Sequence, residues 1–218
     1  MQALYPAITL GKRATLTAVE LTAVIVFAPQ ENPGGALTPL CGDPAVRRMV
    51  RSLSRVARHV LVVVDEAFAD RFDAALAGLP TEILPVDASA TRADCLALAG
   101  VRAGRRGATH VLLADHRHPL MAPDMIDRVV SALADGAELV VPVLPVTDTV
   151  KTVDAGGTIT ATVARSTLRL LQYPRGMRAD RLPVESLAGA VTVDGDADAV
   201  SVELPADAAL LEAVIACR

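Results

Sequence analysis

The chain of 218 residues has no tryptophan, two tyrosines and three phenylalanines, so aromatics make up only 2% of it. Modules that stack bases or sugars on aromatic platforms need more rings than this, which argues against a single-strand nucleic-acid binder. Lysine is almost as scarce. Of 21 basic residues only Lys12 and Lys151 are lysines, which excludes any mechanism that needs several of them. The three cysteines, Cys41, Cys95 and Cys217, lie far apart and make no metal-ligand spacing. A reduced cytoplasm is their simplest setting. Net charge is −4 with no dominant basic patch, so nucleic acid is not an expected partner. Long apolar runs are missing too. The longest, Ala23–Pro29, Val60–Val64, Val111–Ala114 and Leu139–Pro145, are strand-sized. None approaches the roughly 20 residues that span a bilayer, and the opening residues lack the apolar core of a signal peptide.

What remains is an aliphatic chain, 52% hydrophobic, long enough to bury a full core without disulfides. Residues 1–22 show no clear period. Strands and helices then alternate. Strands are expected at Ala23–Ala28, Val60–Val64, Glu82–Pro85, Thr109–Ala114 and Leu139–Val143. Helices are expected at Ala45–Arg58 (with Asp43 as N-cap and Pro44 in the first turn), Glu66–Ala77, Thr91–Ala103 and Pro123–Ala134. This order implies an α/β fold with a mostly parallel sheet and helices on both faces, as one domain over 1–218. Ligands bind such sheets outside the carboxyl ends of the strands, where loops 29–43, 87–92 and 115–122 fall. The pattern then changes. Val146–Val153 and Thr158–Val163, joined by Asp154-Ala155-Gly156-Gly157, read as a hairpin that projects as an arm over about 146–168. After Leu168–Gln172 the chain passes through Tyr173-Pro174-Arg175-Gly176, and a short helix within 181–189, strands at Ala190–Val193 and Ala199–Glu203, and a helix over Pro205–Cys217 close it.

Several residues at the expected ligand edge can carry chemistry. Asp115 ends an apolar strand, a place where a carboxylate binds Mg²⁺ or a sugar hydroxyl, or simply caps a turn. His116, Arg117 and His118 follow it. Adjacent histidines in a strand-like segment point to opposite faces, and zinc needs three or four convergent ligands, so a solvated loop is the default reading. Arg92 opens a helix, either to clamp a phosphate or as a solvated first-turn residue. Thr147, Asp148, Thr149, Lys151 and Arg165 gather at the root of the arm, as a phosphate-holding group or as a polar ribbon. Loop 29–43 matches neither a dinucleotide fingerprint nor a P-loop. It contains no lysine or arginine, while Glu31 and Asp43 make it acidic.

Together these segments resemble the 2-C-methyl-D-erythritol 4-phosphate cytidylyltransferase family over about residues 22–216. The run from Val141 through Thr147-Asp-Thr149-Val-Lys151 to Arg165-Ser-Thr-Leu168 and Gln172-Tyr-Pro174 is similar to its proline-flanked strand, Asp-Thr-x-Lys arm and Arg-x-x-Leu return. Asp115-His-Arg-His-Pro119 looks like its Asp-Ala-Ala-Arg-Pro segment, and Thr91-Arg92-Ala-Asp94-Cys95 like its Arg-x-Asp-Ser helix start. The resemblance implies a GT-A/Rossmann-like nucleotidyltransferase sheet whose arm embraces the second subunit of a homodimer. It implies a Mg²⁺-assisted reaction of CTP with methylerythritol phosphate that releases pyrophosphate. Asp115, Thr149 and Arg165 would hold the sugar phosphate, with Arg165 reaching across from the partner. Arg92 and Cys95 would lie near the cytosine, and Asp115 is the candidate metal ligand. The family's catalytic cations have no counterpart here. Its first-loop Arg and Lys are missing, Ser201 stands at its late-strand Lys, His118 at its Asp-Ala-Ala-Arg arginine and Tyr173 at its Thr before Pro. Three readings follow: a cytidylyltransferase of weakened activity or altered donor or acceptor, in which arginines elsewhere such as Arg47, Arg175 or Arg178 replace the missing cations, a catalytically silent homologue that binds a phosphorylated small molecule or an active paralogue through its arm, or a related transferase acting on another sugar nucleotide.

Overall fold

The computed structural model describes residues 19–184 and 186–217. The opening segment 1–18 lies outside them. Twelve strands and five α-helices follow in order: β1 (Leu21–Val26), β2 (Pro39–Leu40), β3 (Asp43–Pro44), α1 (Ala45–Leu53), β4 (His59–Asp65), α2 (Ala69–Leu76), β5 (Thr81–Val86), α3 (Arg92–Arg105), β6 (His110–Ala114), α4 (Pro123–Ala134), β7 (Leu139–Pro145), β8 (Val150–Val153), β9 (Ile159–Val163), β10 (Arg169–Leu171), β11 (Arg175–Arg178), β12 (Val191–Asp194) and α5 (Ala208–Ala216).

The central sheet has eight strands. Seven run in the order β10-β7-β11-β6-β1-β4-β5, and β12 pairs parallel with β7. The five strands expected from the alternating pattern are all present. Strand β11 was not expected, since the sequence assigns no element to Tyr173-Pro174-Arg175-Gly176. It inserts antiparallel between β6 and β7, pairing Gly176 with Leu112 and with Val140. Gly176 is required there. A Cβ on it would stand 2.6 Å from Val129 Cγ1 and 2.8 Å from Leu133 Cδ1, because α4 packs directly on the strand.

Period-two patterning sorts the core into two layers. Ala23, Ile25, Phe27, Val60, Val62 and Leu112 face α1, α2 and α4. Val24, Val26, Leu61, Val63, Val111 and Leu113 face α3 and the 3₁₀ turn at Ala179–Val184. A third, smaller cluster packs Leu211 of α5 against Leu40, Leu120, Val202 and Leu204.

Several expected boundaries are corrected. Helix α1 ends at Leu53 rather than Arg58, because the chain tightens into i→i−3 bonds such as Val56 N–H to Leu53 C=O. Asp43 does not cap α1; its carboxylate pairs with Arg47 and Arg51 along the helix instead. Ala199–Glu203 is not a strand. It is held across to the loop after β6 by the Val202 N–H, which donates to Arg117 C=O. Residues 181–189 form no α-helix, only the 3₁₀ turn. The last helix starts at Ala208, three residues later than expected.

The hairpin is present. Strands β8 and β9 pair with each other and with no strand of the main sheet. Val153 and Ile159 are 60% and 63% exposed, which leaves the arm without a hydrophobic underside of its own.

Candidate active site

Strand β6 delivers Asp115 to the carboxyl edge of the sheet, where the side chain is 2% exposed. Arg117 wraps it. Its Nε and one NH₂ donate to the two carboxylate oxygens at 3.0 and 2.7 Å, and its backbone N–H donates to Oδ1 at 2.9 Å. Burial pushes the Asp115 carboxyl up, but the Arg117 hydrogen bonds and charge outweigh it and hold the group at about 2. The same clamp raises the Arg117 guanidinium. Asp115 is thus ionised at neutral pH with both oxygens committed. Its direct partners lie in its own loop, not on the arm.

The residues after Asp115 are not a solvated loop, contrary to the default reading. His118 is 7% exposed, and His116 is largely enclosed as well. The His116 ring lies 5.2 Å from that of Phe27, and the His118 ring 5.4 Å from that of Tyr173. On Tyr173 rests the guanidinium of Arg175, 4.2 Å from the ring centroid. Burial lowers both histidines below their ordinary range, and for His118 the charges of Arg117 and Arg175 add to it. Both rings are therefore neutral at pH 7. Nδ1 of His116, Nδ1 of His118 and Nε of Arg175 are buried without a hydrogen-bond partner. Native proteins rarely leave such atoms unsatisfied away from functional sites.

Loop 29–43 folds into a 3₁₀ turn, Pro33–Leu37, capped by the Asn32 side chain on the Gly35 N–H. Glu31 turns back beneath it. Its carboxylate accepts from the Ala28 N–H at 3.1 Å and pairs with Arg92 at 3.0 Å. Arg92 sits at the start of α3, which Thr91 and Asp94 fix with a reciprocal capping box. Cys95, one turn on, is fully buried in the layer under the sheet, and burial pushes its thiol up, with the charges of Asp94 and Glu31 acting the same way.

The arm gathers a separate polar group. Thr149 is exposed at its root. Arg165, in a 3₁₀ turn at its return, donates to the Thr147 carbonyl, and Lys151 donates to Thr162 Oγ1 at 2.6 Å across the ribbon. The structure thus brings Arg165 and the Thr147–Thr149 stretch together, and separately Arg92 with the first loop and Asp115 with its own loop.

Residues 195–204 tie the edge together. The buried Gln172 donates to the carbonyls of Asp196 and Ala199 and accepts from the Asp196 N–H. The Val202 N–H donates to Arg117 C=O, and Leu204 C=O accepts from Asn32 Nδ2 at 3.3 Å. Ser201 is exposed on this strap, beside Val202. Sequence reasoning missed Gln172 as a site residue, and it named Arg117, Tyr173 and Arg175 without seeing that they come together at this edge. Only Arg117, two residues beyond a strand-ending aspartate, gave a local signal. A cavity of about 930 Å³ lies elsewhere, at the amino end of β6, lined by Val101, Gly104, Thr109, His110 and Leu133 among others. Among the described residues no three His, Cys, Asp or Glu side chains gather as a metal cage, and no helix is long and apolar enough to cross a membrane.

A family model described as 2-C-methyl-D-erythritol 4-phosphate cytidylyltransferase matches residues 30–204. A protein of that name from Saccharopolyspora erythraea is 38% identical over 164 residues, 73% of this chain and 73% of its own. One from Frankia casuarinae is 33% identical over 193 residues, 85% of this chain and 71% of its own. Among solved structures, a 4-diphosphocytidyl-2C-methyl-D-erythritol synthase superposes with a TM-score of 0.74 at 22% identity, covering 90% of this chain and 99% of that one. A Thermus thermophilus structure titled 2-C-methyl-D-erythritol 4-phosphate cytidylyltransferase gives 0.69 at 24% identity, covering 89% and 98%. At those identities the structural likeness shows the fold.

Proposed function

The chain belongs to the 2-C-methyl-D-erythritol 4-phosphate cytidylyltransferase family, and on that premise we propose that it joins CTP to methylerythritol phosphate. An oxygen of the acceptor phosphate attacks the α-phosphorus of CTP, the new P–O bond forms, and pyrophosphate leaves. Such transfers need little covalent help from the protein and depend on positioning and charge stabilisation. The observation that carries the reading is the clamped Asp115–Arg117 pair at the carboxyl edge of β6.

In this reading Arg92 and the Cys95 turn of α3 border the base of the nucleotide, and the Asp115 loop borders the acceptor. Thr149 and Arg165 are carried by the arm to the site of a second copy, with the exposed Val153 and Ile159 supplying apolar surface for a homodimer. Asp115 does not fit as the core of a protein metal cage, since both its oxygens are held by Arg117 and, among the described residues, no other His, Cys, Asp or Glu side chains join it as a ligand set. Mg²⁺ would be carried in by the triphosphate rather than held by a protein cage, and would supply charge neutralisation there. A reduced, cytoplasmic setting fits the three unpaired cysteines.

The test is pyrophosphate release by the purified chain with CTP, methylerythritol phosphate and Mg²⁺, beside ATP, GTP and UTP. CTP-selective release is expected. Absence of release with every nucleotide across a panel of sugar and polyol phosphates overturns the reading.

A second outcome follows from Glu31. Its carboxylate already occupies a backbone donor and the Arg92 guanidinium where a negatively charged nucleotide must enter. Glu31→Gln keeps the shape and removes the charge. It is expected to tighten CTP binding about tenfold, roughly 1.4 kcal/mol, by calorimetric titration. Unchanged or weaker binding shows that Glu31 stands clear of the nucleotide.

A further inference from the structure

Four arginines stand around this edge and the arm, and three of them have acceptors. Arg117 is neutralised by Asp115, Arg92 is paired with Glu31, and Arg165 donates to the Thr147 carbonyl. Arg175 differs. It is half-buried, its Nε is enclosed without a partner, and its neighbour is the face of Tyr173. No hydrogen bond or ion pair joins its side chain to any described residue. An Nε–H withdrawn from water without an acceptor is costly to leave unsatisfied, and the half-buried guanidinium that carries it has no carboxylate beside it. The ring beneath it restrains it, so less side-chain freedom is lost when its fork meets an anion. Against the same ring, the 7% exposed His118 keeps an unpartnered Nδ1. Two unsatisfied nitrogen-bearing side chains thus flank one buried ring, at the entry to the strand that lies beside β6 and Asp115.

We propose that Arg175, held over Tyr173, binds a phosphoryl oxygen of the substrate and so supplies a cation to a site whose first loop has none. The proposal rests on the reading of the chain as a phosphoryl-handling transferase. It assigns the charge to a residue that the strand order, not the sequence spacing, brings to the site.

The test compares wild type with Arg175→Gln and Arg175→Lys by calorimetric titration with inorganic phosphate, pyrophosphate, methylerythritol phosphate and CTP. Arg105→Gln, on the exposed last turn of α3, is the control, and melting temperature reports the fold. A charge-assisted contact predicts a roughly 10- to 100-fold loss for Arg175→Gln, partial recovery with lysine and no change for the control. Loss confined to methylerythritol phosphate and inorganic phosphate assigns the contact to the acceptor. Loss confined to CTP and pyrophosphate assigns it to the donor. Either supports the proposal even if no cytidylyl transfer is detected, an outcome that would sink the proposed function alone. Affinities of Arg175→Gln within about threefold of wild type, or a wild type that binds none of the four, overturn it.

Discussion

Asp115→Asn is expected to lower kcat/KM by two to three orders of magnitude and to cost about 2 kcal/mol of stability at neutral pH. The first figure follows from what the carboxylate holds. It fixes Arg117 through two side-chain bonds and one backbone bond, and the Arg117 carbonyl in turn receives Val202 of the strap. An asparagine offers one oxygen and no charge, so the guanidinium loses its fork and the loop carrying His118 loses its anchor. Removing one preorganised electrostatic element typically costs about 10²–10³ in rate. The second figure is a linkage argument. The folded group sits at about 2, against an ordinary 3.8. A depressed carboxyl stabilises the fold above its unfolded value, and the contribution is lost as pH falls from about 4 through 2. At about 1.36 kcal/mol per unit, the difference is about 2 kcal/mol. His116 and His118 act earlier. Burial lowers both below 6.5, so the unfolded chain takes up protons first and stability starts to fall as pH drops below that value. Melting temperature against pH should show both declines in wild type and a shallower lower decline in Asp115→Asn, where Glu82, Asp87, Asp94 and Asp180 are still held below the ordinary carboxylate range by their hydrogen bonds. A variant whose lower decline is as steep as that of wild type, or that turns over at the wild-type rate, contradicts this account.

How much of this was legible in the sequence depends on whether the determining contacts are local. The alternation of Val, Leu and Ile with helical segments announced β1, β4, β5, β6 and β7, because period-two patterning survives in a short window. The capping box at Thr91 and Asp94 is local too. The hairpin β8–β9 was legible because a Gly-Gly turn between β-prone segments needs no tertiary help. Strand β11 was not legible. A proline and a glycine within Tyr173–Gly176 are poor strand residues. They are accepted here because α4 leaves no room for a side chain at Gly176 and because β6 and β7 supply both neighbours. That one miss left Arg175, one of three candidate replacement cations, without a place in the sheet, so nothing in the sequence set it apart from Arg47 or Arg178. The Glu31–Arg92 pair was half legible: the loop reads as acidic, but the 61 residues between the partners carry no sign that they meet. His116 and His118 were read as solvated for the same reason. The rings that cover them, Phe27 and Tyr173, come from the end of β1 and from the entry to β11.

Gln172→Leu is expected to lower the melting temperature by about 6–16 °C and to weaken substrate binding at temperatures where the variant is still folded. The side chain is 4% exposed and makes three bonds of 2.8–2.9 Å to the backbone of residues 196 and 199. Packing around it is close enough that a Cβ on Gly195 would stand 2.1 Å from its Oε1, so water cannot enter to replace the amide. Leucine keeps the bulk and removes every polar partner. Leaving buried backbone groups without their partner costs about 1–3 kcal/mol each, and about 3–4 kcal/mol in total is a conservative sum. For a chain of this size each kcal/mol moves the midpoint by about 2–4 °C. The effect on binding follows from where the strap goes next. Past Ala199 it gives the Val202 N–H to Arg117 and the Leu204 carbonyl to Asn32, so a strap freed at Gln172 loosens the Asp115 loop and the first loop together. Thermal unfolding and KM for both substrates at about 25 °C check the two halves separately. A leucine variant that melts within about 2 °C of wild type removes the stability argument. One that melts early but keeps its KM values shows that the loops are positioned without the strap, and that the Asp115–Arg117 clamp is sufficient alone.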